Sequence, residues 1–266
     1  MITLPAFEQF EKVRQQKPII HHLTNWVTIY DCAQIVKTMG ASPIMAHAPA
    51  EMAEMARIAS AVVLNIGTLT PELVESMKIA ARTANNKGIP VVLDVCGAGA
   101  TRLRDEKCFE LLDETRISII KGNASEIARI AGESIQSRGV DSAEVTANKT
   151  DLVRKLAKTY KAVAVMTGPE DIISNGEVTY VVSNGHPIMT SVVGTGCMAA
   201  SVIGTFAAIE KDYALASACG LVCYEIAAEQ AASECHGPAS FKEKLFDSLY
   251  SLNNEVIAVN QKVRVV

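Results

Sequence analysis

The chain has 266 residues, 49% of them hydrophobic, with 25 Lys and Arg against 29 Asp and Glu and a formal net charge of -4. That length and apolar content suit a sizeable core and exclude a disordered chain. The balance carries no basic stripe, which argues against nucleic-acid binding, since that needs clustered Lys and Arg.

The stretch from Met1 to Glu8 lacks the basic start and apolar run of a signal peptide. The seven cysteines are an odd number, scattered without a CxxC pair or the closely spaced Cys/His ligands of a zinc site. Free thiols in that number point to a reducing compartment, so a cytoplasmic location is expected.

Short apolar runs alternate with longer helical patterns along the chain. Strands are expected at Ile19-Ile20, Pro43 to Met45, Ala61 to Ile66, Pro90 to Asp94, Ile117 to Ile120 and Ala162 to Met166. Their unbroken hydrophobicity suits strands covered on both faces. Thr70 followed by Pro71 opens a helical pattern to Asn86, and Asp151 to Lys161 forms another. Strand-helix alternation predicts a mostly parallel sheet with helices on both sides. Asp171 to Ser183 reads instead as a β-hairpin around Asn175-Gly176, a preferred type I′ turn pair, which puts an antiparallel edge on the sheet. From Thr195 to Asn253 the pattern is helical throughout. With no linker, repeat or low-complexity tract, residues 1–266 are expected to form a single domain.

Val192-Val193-Gly194-Thr195-Gly196-Cys197 leads directly into an uncharged helical pattern. Glycines before a helix serve as a tight turn, or they expose the unpaired first amides as an anion site reinforced by the helix dipole. The segment from Val192 to Ile209 is free of charge and approaches the length of a membrane span, but its glycines and hydroxyl residues favour a buried core helix, so no membrane partner is expected.

Ligands bind open parallel sheets beyond the C-terminal strand ends. Those ends here carry Asn65-Ile66-Gly67-Thr68, Asp94 before a Gly-rich loop, Lys121-Gly122-Asn123 with Glu126, and Thr167-Gly168. Asp94 is either a cap for its loop or a carboxylate for Mg²⁺. Glu126, three residues after Asn123, is either half of a capping box or a second carboxylate ordering a metal water. Lys121 is either a solvated charge or a cation for a phosphate. Their shared rim indicates an α/β enzyme that binds a phosphorylated ligand.

Taken in order, Thr24-Asn25, Gly40 to Ala46, Leu64 to Leu69, Gly97 to Thr101, Lys121 to Ile127, Asn184 to Pro187 and Gly194 to Cys197 resemble the hydroxyethylthiazole kinase family, a thiamine-pathway branch of the ribokinase-like superfamily. The similarity covers Pro18 to about Glu225. It implies a ribokinase-like three-layer α/β/α sandwich. It also implies ATP- and Mg²⁺-dependent phosphorylation of the primary alcohol of 4-methyl-5-(2-hydroxyethyl)thiazole, giving the thiazole phosphate for thiamine biosynthesis or salvage. By the same resemblance, Met45, Gly194, Asn25, Val27, Gly67 and Thr68 belong to the thiazole pocket. Lys121, Thr167 and Gly168 belong to the ATP site, and Asp94 and Glu126 to the metal. The family assembles as homotrimers with active sites between subunits. Gly194, Thr195 and Gly196 would form the anion hole, and Cys197 stands where many superfamily relatives place an Asp base, so it is read as a base or as a wall of the pocket.

The chain departs from the family pattern at several positions. It has Asp94-Val95-Cys96 where the family usually has Asp-Pro-Val, Lys121 where Arg is common, His21-His22 for His-Asn, and Tyr30 for Asn. These bear on substrate preference. A kinase for the pyrimidine half of thiamine and a non-catalytic nucleotide or thiazole sensor are the rival readings. A nicotinamide oxidoreductase is disfavoured, because no GxGxxG follows the first strand.

Overall fold

The computed structural model describes residues 1–133 and 148–266. A nine-stranded sheet runs in the order β2-β1-β3-β4-β5-β6-β7-β8-β9. Its strands are β1 (Ile19–Leu23), β2 (Ser42–Ile44), β3 (Ala61–Asn65), β4 (Val91–Asp94), β5 (Ile119–Asn123), β6 (Val163–Thr167), β7 (Asp171–Ser174), β8 (Thr179–Val182) and β9 (Val263–Val265). Strands β1 to β6 are parallel to their neighbours, while β7, β8 and β9 join antiparallel. The expected mixed α/β sheet with an antiparallel edge is therefore present.

Helices cover both faces. Against one lie α1 (Ala6–Gln16), α2 (Ile29–Thr38), α8 (Thr195–Ala207), α9 (Tyr213–Glu234), α10 (Pro238–Ser251) and α11 (Asn254–Asn260). Against the other lie α3 (Met52–Ile58), α4 (Pro71–Lys87), α5 (Arg102–Glu114), α6 (Ala124–Ile130) and α7 (Lys149–Tyr160). Alternate strand residues serve opposite cores: Val63 and Val92 face one helical layer, and Val62, Leu64, Val91 and Leu93 face the other. This two-sided burial is why the strands read as continuous apolar runs.

The local signals hold in detail. The Thr70 side chain accepts from the Leu73 amide at 3.2 Å, and α4 ends at Gly88 in the left-handed region. One reading needs correction. The Asn175-Gly176 turn is not type I′: only Gly176 has positive φ, and the Ser174–Thr179 pair closes a longer loop. The Asn175 side chain explains this, because its Oδ1 accepts from the amides of Glu177 and Val178, both at 2.9 Å. Beyond the helical stretch, β9 pairs with β8, an element too short to register as a periodic run.

Helix α8 is the uncharged segment, and it is buried in the core. No helix among the described residues is long and apolar enough to cross a membrane. It lies so close to β3 that a Cβ on Gly204 would stand 2.5 Å from Val63 Cγ2. His22 helps fix the approach. Its Nδ1–H donates to the Ile20 carbonyl at 3.2 Å, leaving Nε2 to accept from the Ser201 hydroxyl of α8 at 3.1 Å. Burial lowers the His22 pKa to about 3. The folded chain thus refuses a proton that the unfolded chain takes up below about pH 6.5, so stability falls as pH drops from there. For one such histidine the slope approaches about 1.4 kcal/mol per pH unit. His22→Asn is expected to flatten this slope between pH 6.5 and 5 in urea unfolding, and an unchanged slope would assign the effect elsewhere.

Candidate active site

Because β1 to β6 are parallel, their C-terminal ends share one rim. Sheet order therefore sets the order of residues along it. Met45 follows β2, Asn25 follows β1, Asn65 and Gly67 close β3, Asp94 closes β4, Lys121 lies in β5 and Thr167 closes β6. The register places Asn65 beside Asp94 and Asp94 beside Lys121. Residues far apart in the chain thus form one continuous line.

The centre of that line is a buried polar chain. Lys121 Nζ lies 3.3 Å from Asp94 Oδ1, and Asn65 Nδ2 donates to Asp94 Oδ2 at 2.8 Å. Asn65 Oδ1 accepts from Asn25 Nδ2 at 3.1 Å and from the Gly67 amide at 2.8 Å. Asn25 Oδ1 in turn accepts from the amides of Val27 and Thr28, at 3.1 and 3.0 Å. Lys121 is buried rather than the solvated charge of one reading, and Asp94 is an ion-pair partner rather than a loop cap. Burial raises the Asp94 carboxyl, with Lys121 and Asn65 opposing that rise. At Lys121 burial works against the charge, but Asp94 and Glu126 outweigh it and raise the pKa.

Glu126 does form the capping box: Asn123 Oδ1 accepts from the Glu126 amide, and Glu126 Oε2 accepts from the Asn123 amide at 2.7 Å. Its other oxygen, Oε1, accepts from the Gly97 amide at 2.7 Å, which pins the glycine loop after β4. Burial and the nearby Asp94 raise its carboxyl.

Helix α8 begins against this chain. Gly194 is its N-cap, with φ +96, and a Cβ there would meet Thr28 Cγ2 at 2.6 Å. A side chain at that position is excluded by both backbone and space. The left-handed conformation belongs to Gly194 and not to Gly196, whose bare Cα instead faces Lys121, with Nζ 3.2 Å from where a Cβ would sit. The first intrahelical bond at this end is Met198 N–H to the Gly194 carbonyl, 2.8 Å, so the amides of Thr195, Gly196 and Cys197 project from the helix end. The Cys197 sulfur accepts from Asn25 Nδ2 at 3.3 Å and Asn65 Nδ2 at 3.4 Å. A hydrogen bond from the Cys96 thiol, aided by Lys121, keeps Cys197 below the ordinary thiol pKa.

The remaining candidates flank this centre. Met45 and Thr68 are partly buried, and the Thr68 hydroxyl accepts from the Trp26 amide at 3.2 Å. The His47 ring lies 2.7 Å from the Met45 carbonyl and 3.3 Å from that of Thr24, joining the ends of β2 and β1. Val27 is 68% exposed. At the opposite end the Thr167 hydroxyl donates to the Gly122 carbonyl at 3.4 Å, and the Gly168 amide donates to Asp171 Oδ1 at 2.9 Å.

Four positioning residues were given no role by the sequence reading. Asn65 joins three strand ends, although only its place in a motif marked it. Arg104 of α5 donates to the carbonyls of Ile66, Cys96 and Gly67, at 2.7, 3.0 and 2.7 Å, clamping two rim loops together. Asp171 and Glu225 face each other behind Gly168, and burial raises both carboxyls. Arg104 and Glu225 lie in helical patterns that give no local sign of such contacts. Asn65→Leu would strand Asp94 Oδ2 and the Gly67 amide without a partner. It is expected to cost on the order of 2–3 kcal/mol in urea unfolding and to lower turnover. Wild-type stability and rate in that variant would show the chain to be dispensable.

The hydroxyethylthiazole kinase family model matches residues 10–255. A relative from Methanosarcina mazei, named hydroxyethylthiazole kinase, is 51% identical over 251 residues, covering 94% of this chain and 96% of its own. One of the same name from Moorella thermoacetica is 46% identical over 256 residues, with 96% of each chain covered. The solved structure of a hydroxyethylthiazole kinase protein from Pyrococcus horikoshii OT3 is 37% identical, with a TM-score of 0.89 and 98% of both chains covered. A ribokinase-like superfamily protein from Enterococcus faecalis, 12% identical, shares the fold at a TM-score of 0.63 over 94% of this chain and 97% of its own. Model match, identity and fold agree: the chain belongs to the hydroxyethylthiazole kinase family.

Proposed function

We propose that the chain transfers the γ-phosphoryl of ATP to the primary alcohol of 4-methyl-5-(2-hydroxyethyl)thiazole. The carrying observation is the meeting of the α8 N-terminus with the Lys121–Asp94 pair, where Gly196 faces Lys121 Nζ. Phosphoryl transfer asks mainly for positioning and charge stabilisation. The projecting amides of Thr195, Gly196 and Cys197 supply fixed partial positive charge, and Lys121 adds a full one beside them.

The order of the rim divides the substrates. The thiazole lies toward Met45, Asn25, Val27, Gly67, Thr68 and Gly194, and the nucleotide toward Lys121, Thr167 and Gly168. The alcohol then approaches Cys197, which stands between them and takes its proton or shapes the pocket. The Gly168 amide and the Thr167 hydroxyl already have protein partners, so their part is to shape the nucleotide end.

The residues present suit Mg²⁺. Each oxygen of Asp94 and Glu126 accepts one hydrogen bond from a protein donor, which leaves lone pairs for metal-bound water. Burial also pushes both carboxyls toward neutrality, a cost that a nearby cation offsets. Held there, Mg²⁺ would neutralise charge on the transferring phosphates.

Assembly as a homotrimer with shared sites is part of the same proposal, and the apolar collar around the thiazole end supports it. Trp26, Val27, Tyr30 and Val193 are 60%, 68%, 71% and 71% exposed. A pocket residue as open as Val27 needs a neighbouring copy to exclude water. Sedimentation equilibrium is expected to give three times the 28.4 kDa chain mass, and the mass of a single chain would overturn the shared site.

The decisive assay is mass-spectrometric detection of thiazole phosphate and ADP from the thiazole alcohol, ATP and Mg²⁺. Faster turnover of the pyrimidine alcohol of thiamine would reassign the substrate, and tight binding without ADP would make the protein a sensor. Gly196→Val, which crowds Lys121 and the projecting amides, is expected to cut turnover roughly a hundredfold. Cys197→Ala is expected to keep on the order of 1–10% of the rate; complete loss would make the thiol an essential base.

A further inference from the structure

We propose that Tyr224 is a positioning residue for the α8 N-terminus, which fixes the Gly196 amide and strengthens it as a donor. Tyr224 lies in α9 and is 1% exposed. Its hydroxyl donates to the Thr195 carbonyl at 3.0 Å. That carbonyl is the other half of the peptide unit that carries the Gly196 amide, so a donor on its oxygen acts on that N–H through the shared C–N bond. The catalytic consequence rests on the proposed phosphoryl transfer, whereas the effect on the amide does not.

Helix packing delivers the hydroxyl to this point. Gly220 stands one turn earlier on the same face of α9. A Cβ on it would lie 3.2 Å from Phe206 Cδ2 and 3.3 Å from Val202 Cγ1, so the missing side chain lets α9 lie close against α8. From there α9 runs back along α8 and brings Tyr224 to its first turn. Thr195 is held from a second side, because its hydroxyl donates to the Met189 carbonyl at 3.1 Å, in the short 3-10 turn Pro187–Ser191. The residue that opens α8 is thereby tied to two separate elements. Burial raises the Tyr224 phenol well above its ordinary pKa, so the group keeps its proton and remains a donor.

The bond is not needed to satisfy the backbone. Within α8 the Thr195 carbonyl also serves the amide four residues on, in the ordinary helical pattern, and a carbonyl oxygen has two lone pairs. A second donor draws electron density to that oxygen and leaves the N–H of the same peptide more positive. Hydrogen bonds linked in this way strengthen one another by about 10–30% per bond. Of the three peptide units behind the amides of Thr195, Gly196 and Cys197, the middle one receives the phenol. The same unit lies beside Lys121, whose Nζ is 3.2 Å from where a Gly196 Cβ would sit.

A more positive amide attracts an oxygen more strongly as that oxygen gains charge. Its benefit is therefore larger in the transition state than in the bound substrates. Where the proposed transfer is correct, loss of the hydroxyl lowers kcat and leaves KM unchanged.

The test is Tyr224→Phe in the full-length protein, which keeps the ring and removes only the hydroxyl. Thr205→Val is the control, because it removes another buried hydroxyl from later in α8, one that donates to the Ser201 carbonyl at 2.8 Å. By NMR, the Gly196 amide proton is expected to move upfield in Tyr224→Phe by more than the amides of the following turn, and to stay in place in Thr205→Val. With ATP, Mg²⁺ and the thiazole alcohol, kcat is expected to fall roughly three- to tenfold in Tyr224→Phe at unchanged KM, and to hold in Thr205→Val. The amide shift is read without turnover, so it decides the Tyr224 assignment even if another alcohol is the substrate. A Gly196 resonance that stays in place in Tyr224→Phe overturns the assignment, and so does an equal fall in kcat in Thr205→Val. A shifted resonance with unchanged kcat supports the assignment and overturns instead the part given to the Gly196 amide in phosphoryl transfer.

Discussion

The contact between Lys121 and Asp94, buried at the C-terminal edge of adjacent strands, is the constraint around which the rest of the rim is arranged. An ion pair removed from water recovers its desolvation cost only when its remaining hydrogen-bonding capacity is met. Here Asn65 meets part of it, binding the second Asp94 oxygen, and Asn65 is in turn satisfied by Asn25 and the Gly67 amide. One costly pair thereby sets the geometry of β1, β3, β4 and β5 at the same edge. Such a pair contributes little to stability compared with apolar packing of the same volume. Its position beside a helix N-terminus puts a fixed positive charge next to the projecting amides.

The helix end and the ion pair depend on each other. Thr28, positioned through Asn25, fills the space beside Gly194 and so requires glycine at the N-cap. Gly196 leaves its face open toward Lys121. The helix end, the lysine and the projecting amides therefore meet in one small region, with Asp94 beside the lysine. Preorganisation of this kind needs no movement of dipoles when charge develops. The Arg104 clamp and the His47 bridge fix the loops around this region.

Much of this was legible in the chain. Two-sided burial makes parallel strands read as apolar runs, the Thr70-Pro71 start and the Asn123–Glu126 spacing report caps that form as read, and the ordered motifs point to the family. The readings that stayed open were those in which one residue type serves two roles. Glu126 proves to be a capping-box partner, with its second oxygen on the Gly97 amide. Lys121 proves buried, because β5 runs on past Ile120 to Asn123 and carries it into the sheet. The Asn175-Gly176 pair did mark a turn, but the Asn175 side chain capped following amides and drew the loop out of the two-residue form.

By itself the sequence determined the alternation of elements, the antiparallel edge, the uncharged core helix and the strand-end residues from Asn65 to Thr167, because periodicity, caps and glycine placement are local properties; Met45 and Asn25 came from the family resemblance. Tertiary structure alone decided which strand ends became neighbours, and so the order of the rim from Met45 to Thr167. It alone placed Asn65 at the junction and brought Arg104 across two loops. These are contacts between side chains remote in the chain, and no local pattern encodes a distance that exists only after the sheet has assembled.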